Sequence, residues 1–204
     1  MPDFEIEKEL LSNGCEFVAG IDEAGRGSLA GPLSVSMVVF PKEIILNTPF
    51  DFKCINDSKK LKPAIRERVF DFIKNHAFTC EHVFIDHQII DEINVNQATR
   101  LAVQKLIQNV QTKPDYLLID GNFSFKFEIP SLSVKKGDSK SFSIAAASIM
   151  AKVIRDREML QLSSTYSSYG FDRNMGYGTK DHMEALRIHG ASPVHRLSYA
   201  PCRK

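Results

Sequence analysis

The chain has 204 residues, 43% of them hydrophobic and 25% charged, a composition that fits one globular domain with a substantial core. Its net charge of +1 covers an uneven distribution, with 14 Lys and Arg against 19 Asp and Glu in residues 1–130 and 12 against 6 in residues 131–204. That division suits an acidic metal site beside a polyanion-binding face, though it fits a plain solvated surface as well, while Cys15, Cys54, Cys80 and Cys202 form no Cys-x-x-Cys pair and so argue against a zinc or redox site.

The opening MPDFEIEKELL is acidic and lacks the regions of a signal peptide, and residues 4–11 read as a short helix or packing arm. No apolar stretch is long enough to span a membrane. With lone thiols, this places the expected location in a reducing cytosol. Phe17–Ile21 is an apolar run expected to form a buried strand that ends in Asp22 and Glu23. The small-residue loop Ala24-Gly25-Arg26-Gly27-Ser28 follows, and then a second expected strand, Ser34–Phe40. Residues 41–56 show no period and read as loop. Asp57-Ser58 is a cap signal for a helix with Pro63 near its start and Leu61, Ile65, Val69, Phe72 and Ile73 on its apolar face.

Cys80–Asp86 alternates as a strand, and a helix is expected over about Asn94–Gln111. Tyr116–Ile119 is a further buried strand, running into Asp120-Gly121. Phe127–Val134 reads as an edge strand because of Pro130, and Lys135–Ser139 as a polar loop. Ser143–Leu160 is the strongest helix, with small residues in its first half that permit close packing. Residues 163–180 read as a long functional loop, 181–189 as a short helix, and the tail as irregular. The order predicts a mixed α/β domain. Gly25-x-Gly27 lacks a third glycine at the right spacing, which disfavours a dinucleotide fold.

Asp22, Glu23, Asp120 and Asp138 are the candidate catalytic residues. The first three follow buried strands, where a carboxylate is costly unless paired. Taken alone, Asp-Glu before Gly-x-Gly is equally an acidic hairpin turn, Asp120 a turn residue and Asp138 a helix cap. Taken together, carboxylates converging at strand ends repel one another unless a cation sits among them. Hard Mg²⁺ or Mn²⁺ ions use such oxygen ligands and serve phosphodiester hydrolysis.

At these residues the sequence resembles the type 2 ribonuclease H family, the bacterial ribonuclease HII group. The matching blocks are Gly20–Gly27, Asp57–Leu61, Leu118–Gly121, Lys136–Asp138 with Ala145–Asp156, Gly176–His182 and Pro193–Arg196, in the family's order. The resemblance implies a ribonuclease H-like fold, a central mixed sheet flanked by helices. It implies one catalytic domain over residues 1–204, with 160–204 as a helical C-terminal substrate-binding segment. The implied activity is cleavage of RNA in RNA–DNA hybrids and at single ribonucleotides in duplex DNA, leaving 5′-phosphate and 3′-hydroxyl ends. Two Mg²⁺ or Mn²⁺ ions would be held by Asp22, Glu23, Asp120 and Asp138. Gly25, Arg26, Gly27, Lys59 and Tyr177 would bind substrate. The related ribonuclease HIII group typically has Gly-Thr-Gly at this loop and an added N-terminal domain, so Arg26 and the short leader favour type HII. A monomer is expected, with no membrane contact, and no clamp-binding motif is evident.

Glycines let the main chain approach a sugar closely, and the 2′-hydroxyl is the general mark of a ribonucleotide. Tyr177 offers an aromatic face to the neighbouring sugar. Arg26 and Lys59 are suited to phosphates. Asp156 reads as an ion-pair partner of Lys152 or Arg155 in preference to a further acid near the site, and His182 and His195 as structural in preference to proton shuttles. Two other readings stay open on the residues alone. One is a metal nuclease of the same broad fold acting on DNA; the other is a non-catalytic nucleic-acid-binding module.

Overall fold

Two apolar runs joined through the glycine-rich loop build the middle of the sheet. In the computed structural model, which describes residues 1–56, 58 and 61–203, β1 (Val18–Ala24) pairs antiparallel with β2 (Leu33–Val39), from Ala19↔Val39 to Ala24↔Ser34. On the outer side of β2 lies antiparallel β3 (Thr79–Ile85). Beyond β1 come the parallel strands β4 (Tyr116–Asp120) and β5 (Ser131–Val134), giving the order β3-β2-β1-β4-β5. The expected mixed α/β architecture is therefore present. β5 is an edge strand, as Pro130 suggested, but only its last four residues pair; the stretch from Gly121 to Pro130 forms no strand.

Successive side chains on a strand point to opposite faces, and β1 divides its residues accordingly. Val18 joins Val38 and Leu118 in a cluster under α5 (Phe142–Thr165), with α1 (Glu5–Ser12) and α3 (Pro63–His76). Ala19 and Ile21 join Met37, Leu117 and Ile119 in a second cluster under α4 (His87–Asn109). Gly20 has a packing reason: a Cβ there would lie 2.1 Å from the Ser143 carbonyl carbon, so only glycine lets α5 press this close to the sheet. The small residues Ala145, Ala146 and Ala147 continue that close face and are all buried.

Several boundaries differ from the sequence reading, each for a physical reason. β1 does not stop at Ile21; β2 carries its ladder through Asp22↔Ser36 and Glu23↔Val35. Residues 41–56 are not mostly loop, because Ile45 and Phe52 anchor α2 (Lys42–Leu46) and a 3-10 turn (Phe50–Cys54) in the core. α3 starts at Pro63 as expected but has no side-chain cap, and Asp57 lies outside the described residues. Its buried face is Arg66, Val69, Phe70 and Ile73, whereas Ile65 is exposed. α4 begins seven residues early and is broken at Asn94, which has φ 64° and caps the following turn through Asn96 and Gln97 N–H.

The C-terminal part forms a third cluster. Met159, Tyr169, Phe171, Leu186 and Cys202 pack on Leu29 and Ala30 of the glycine-rich loop. The stretch expected to be a long loop is largely the end of α5, a 3-10 turn and α6 (Phe171–Asn174), and α7 (Lys180–His189) follows. No helix among the described residues is long and apolar enough to cross a membrane.

Candidate active site

The register of the parallel pair decides where the acids meet. Gly20 pairs with Leu118 and Ile21 with Ile119, so the next step sets Asp22 beside Asp120 at the ends of neighbouring strands. Adjacent strands lie about 4.8 Å apart. Both side chains fall on the α5 face, the face of Gly20 and Leu118. Glu23 falls on the α4 face and reaches the cleft from the other side. All three line one cleft of about 400 Å³, with Gly25, Arg26, Gly27, Ser58, Ser148, Lys152 and Tyr177 among its other walls.

Asp22 is buried, accepts the Glu23 main-chain N–H at 2.7 Å and bonds to the Ser148 hydroxyl. Burial, reinforced by the charges of Glu23 and Asp120, pushes its carboxyl well above the usual carboxylate range. Asp120 accepts the Gly137 N–H at 2.6 Å, which ties it to the 3-10 turn Gly137–Ser139 carrying buried Asp138. Asp138 is not among the residues lining the cleft, but it follows Gly137 directly on the turn that Asp120 holds. Among the described residues no group of three or more His, Cys, Asp or Glu side chains is arranged to hold a metal ion. The donor chemistry still fits one, since the gathered side chains are all carboxylates and a cation would relieve the repulsion that burdens Asp22.

The opposite wall is the loop Gly25–Gly31. The N–H groups of Arg26 and Gly27 have no acceptor among the described residues, so they are free to donate into the cleft. A bridge, Ser28↔Tyr177, ties Tyr177 to this loop. Tyr177 is 36% exposed, with Arg155 and Lys152 cations 5.4 and 5.7 Å from its ring centre. Two buried arginines fasten the arrangement. Arg155 Nε donates to the Pro32 carbonyl, Nη1 to Met175, and Nη2 to the Ser28 hydroxyl and Ala30. Arg196 donates to Gly31 and Arg26 carbonyls and to the Tyr199 hydroxyl. Burial pushes the Arg155 guanidinium down to about 10, which leaves it charged at neutral pH. Gly25, at φ +95°, is required twice over, because a Cβ there would also meet Arg155 Nε at 2.0 Å.

Arg26 itself points away from a phosphate-binding pose. Its guanidinium donates to Thr99 at 2.8 Å and Asn96 at 2.7 Å, pairs with Glu23 at 3.4 Å and lies over the Phe123 ring. It braces Glu23 against α4. Lys59 lies outside the described residues. Asp156 pairs with Lys152 at 2.8 Å, one of the partners its sequence context suggested, and with Arg66 at 3.2 Å.

His182 and His195 form a buried pair with Nε2 atoms 3.0 Å apart. Ser192 N–H donates to His195 Nδ1, so His195 carries its proton on Nε2 and donates it to His182. His182 then donates from Nδ1 to the Tyr177 carbonyl. The chain of bonds holds only when both rings are neutral.

Sequence reasoning missed Ser148 and Lys152 as cleft residues, and Arg155 and Arg196 as its fasteners. The signal for the α5 residues was their spacing: 148, 152 and 155 lie on one helical face.

The ribonuclease HII family model matches residues 19–202. A ribonuclease HII of Bacillus mycoides is 48% identical over 199 residues, covering 98% of this chain and 75% of that one. One from Caldicellulosiruptor bescii is 43% identical, covering 96% and 92%. The ribonuclease H2 structure of Pyrococcus horikoshii superposes with a TM-score of 0.78 at 27% identity, covering 92% of this chain and 95% of that one. With its acids on β1 and β4, and this likeness along almost its whole length, the chain belongs to the ribonuclease HII family.

Proposed function

We propose that the cleft hydrolyses the RNA strand of RNA–DNA hybrids and incises duplex DNA at a single ribonucleotide, leaving 5′-phosphate and 3′-hydroxyl ends. As a ribonuclease HII the protein is an endoribonuclease, and its family is dependent on divalent metal. The observation that carries the reading is the register: Asp22 stands beside Asp120, with Glu23 at the same cleft, opposite a glycine loop whose Arg26 and Gly27 N–H groups have no acceptor among the described residues.

In this reading Asp22, Glu23, Asp120 and Asp138 hold two Mg²⁺ or Mn²⁺ ions. When bound, the ions supply a reactive water and offset charge on the leaving oxygen. The protein's own residues position the substrate. Main-chain N–H groups at Gly25–Gly27 bond the 2′-hydroxyl, and a backbone donor keeps its aim whatever side-chain rotamers do. The Tyr177 ring lies against the next sugar and crowds a second 2′-hydroxyl there, which favours a ribonucleotide followed by a deoxyribonucleotide. Ser148 and Lys152 lie one turn apart on α5; Ser148 orients Asp22, and Lys152 supplies positive charge beside the cleft.

One gel tests the reading. Duplex DNA with a single ribonucleotide is incubated with Mg²⁺, Mn²⁺ or EDTA, beside an all-DNA duplex and a long hybrid. Cutting at the ribonucleotide and in the hybrid, with metal only, is expected. Cutting of the all-DNA duplex would mark a DNA nuclease, and tight binding without cutting a binding module.

A further inference from the structure

Beyond Glu23 the catalytic cleft opens into a second one of about 480 Å³. Glu23 and Arg26 line both, so the two adjoin. One side of the second cleft is the start of the helical segment after Asn94; the other is the extended stretch after Gly121. A third cleft of about 340 Å³ flanks the same helix further along, between Arg100 and Gln104 on α4 and Lys126, Phe127 and Glu128. Together they form a trough alongside α4 from Asn96 to Gln108. Those residues span about 18 Å of helix, or roughly five nucleotides at the ~3.4 Å spacing of a stacked strand.

The floor of the trough is aromatic. Phe123 and Phe125 stack at 4.9 Å with planes 13° apart. Phe123 has a structural role, packing against the α4 cluster and lying under the Arg26 guanidinium, and Phe127 and Ile129 pack on the same cluster. Phe125 is in none of the buried clusters; half-buried in the trough, it touches, among the rings of the described residues, only Phe123 and, edge-on at 6.2 Å, Phe127. The rim carries exposed amides at Asn96, Gln97, Gln104 and Asn122, groups that both donate and accept and so tolerate any base. Arg100 and Lys126 add two cations and Glu128 one anion, so the trough carries only a slight positive excess.

We propose that this trough holds a short single-stranded stretch of nucleic acid leading away from the cleavage site, a proposal that rests on the endonuclease reading above. An aromatic floor, an amide rim and a few cations are the features of sequence-tolerant single-strand binding, in which bases stack on side chains. A duplex backbone calls for denser positive charge than Arg100 and Lys126 provide. The cleft volumes are also those that enclose a small molecule or one or two nucleotides, not a double helix. Phe125 supplies the stacking face. The preferred substrate is then a ribonucleotide-bearing duplex with an unpaired extension, such as a frayed or displaced end.

Fluorescence anisotropy with all-DNA duplexes, which the enzyme leaves intact, tests this. Blunt duplexes are compared with duplexes bearing a five-nucleotide extension at the 5′ or 3′ end. One extension is expected to tighten binding about tenfold. Phe125→Ala should abolish that ratio and Phe125→Trp should keep it, with thermal melts checking that each variant is folded. No gain from either extension, or a gain that survives in Phe125→Ala, overturns the proposal. Cleavage of a blunt single-ribonucleotide duplex in Mg²⁺ is followed with the same preparation. Its absence would strike the endonuclease reading, while the affinity ratio would still decide the trough.

Discussion

The acidic wall of the cleft hangs on hydrogen-bonded strands, whereas the wall facing it, the loop Gly25–Gly31 with Tyr177, hangs on two buried arginines. Asp22 and Asp120 are spaced by the β1–β4 ladder, which any sequence in that register would reproduce. The glycine loop has no ladder. Its carbonyls at Arg26, Ala30, Gly31 and Pro32 are collected by Arg155 and Arg196, which reach them from α5 and from the tail. In the proposed function, chemistry therefore sits on repetitive backbone, and sugar recognition on a loop assembled from three distant parts of the chain. The first wall should tolerate side-chain changes without losing its shape. The second should not.

The largest expected effect is on the second wall. Arg155→Met would take this donor from the Pro32 carbonyl and the Ser28 hydroxyl, and leave the Ala30 and Met175 carbonyls with only the Ser28 hydroxyl to share. Each buried acceptor left unpaired costs about 1–3 kcal/mol, and urea unfolding should show the loss as a lower midpoint with the slope unchanged. Arg155→Lys should restore little, because one ammonium cannot span the same acceptors. Near-native stability in either variant would mean that the loop holds itself.

On the first wall the effect should be large in rate and favourable in stability. Asp22→Asn removes a proposed metal ligand, and several kcal/mol of transition-state stabilisation correspond to about 10²–10³ in turnover. The same change removes a buried charge that Glu23 and Asp120 oppose. Its melting temperature in EDTA should therefore equal or exceed the parent's. A variant that is both slow and unstable would show that Asp22 holds the fold together, contrary to the comparison.

The two walls also differ in how far the sequence discloses them. Phe17–Ile21 before Asp22 and Tyr116–Ile119 before Asp120 can be read directly, because a charge ending a buried run is visible in one dimension. Gly20 and the Ala145–Ala147 run likewise announce a close contact. Arg155 and Arg196 do not, since their partners are main-chain carbonyls that any residue carries. The same reason explains the error on α3. Ile65 was assigned inward by period, yet Arg66 is the buried residue, because it bonds the Ser58 and Leu61 carbonyls and Asp156. Arg26 looked like a phosphate ligand because its partners, Asn96 and Thr99, lie 70 residues away or more.

A smaller effect would sharpen the role of Tyr177. Its ring is partly exposed and its anchoring is through the main chain, so Tyr177→Ala should leave thermal stability nearly unchanged. Activity on a single embedded ribonucleotide should fall about tenfold more than activity on a long hybrid, the scale of one stacking contact. Equal loss on both substrates would make Tyr177 a general aid to binding, without a part in reading the junction.

The smallest effect concerns pH, and it acts on the second wall alone. Burial and the neighbouring His182 push His195 down to about 4 from its ordinary 6.5. Burial lowers His182 as well. Protonating His182 would set two N–H groups facing each other across 3.0 Å, and protonating His195 would turn its Nδ1–H against the Ser192 N–H at 2.9 Å, so either event breaks the chain of bonds. The unfolded chain takes up a proton near pH 6.5 and the folded chain resists until about 4. The stabilisation is therefore complete above 6.5 and is lost progressively as pH falls through that window. By pH 5.5 the loss from His195 is about 1 kcal/mol, or roughly 2–4 °C in melting temperature for a chain of this size. Buried Glu7 and Asp22, whose carboxyls are raised, work in the opposite direction, since their folded forms bind protons more readily than the unfolded chain does. The informative quantity is thus the difference between the parent and His195→Asn, melted at pH 7.5 and 5.5. The parent should lose more on acidification than the variant, which has no ring to protonate at that position. Equal losses would show that the histidine pair does not set the acid sensitivity of this wall.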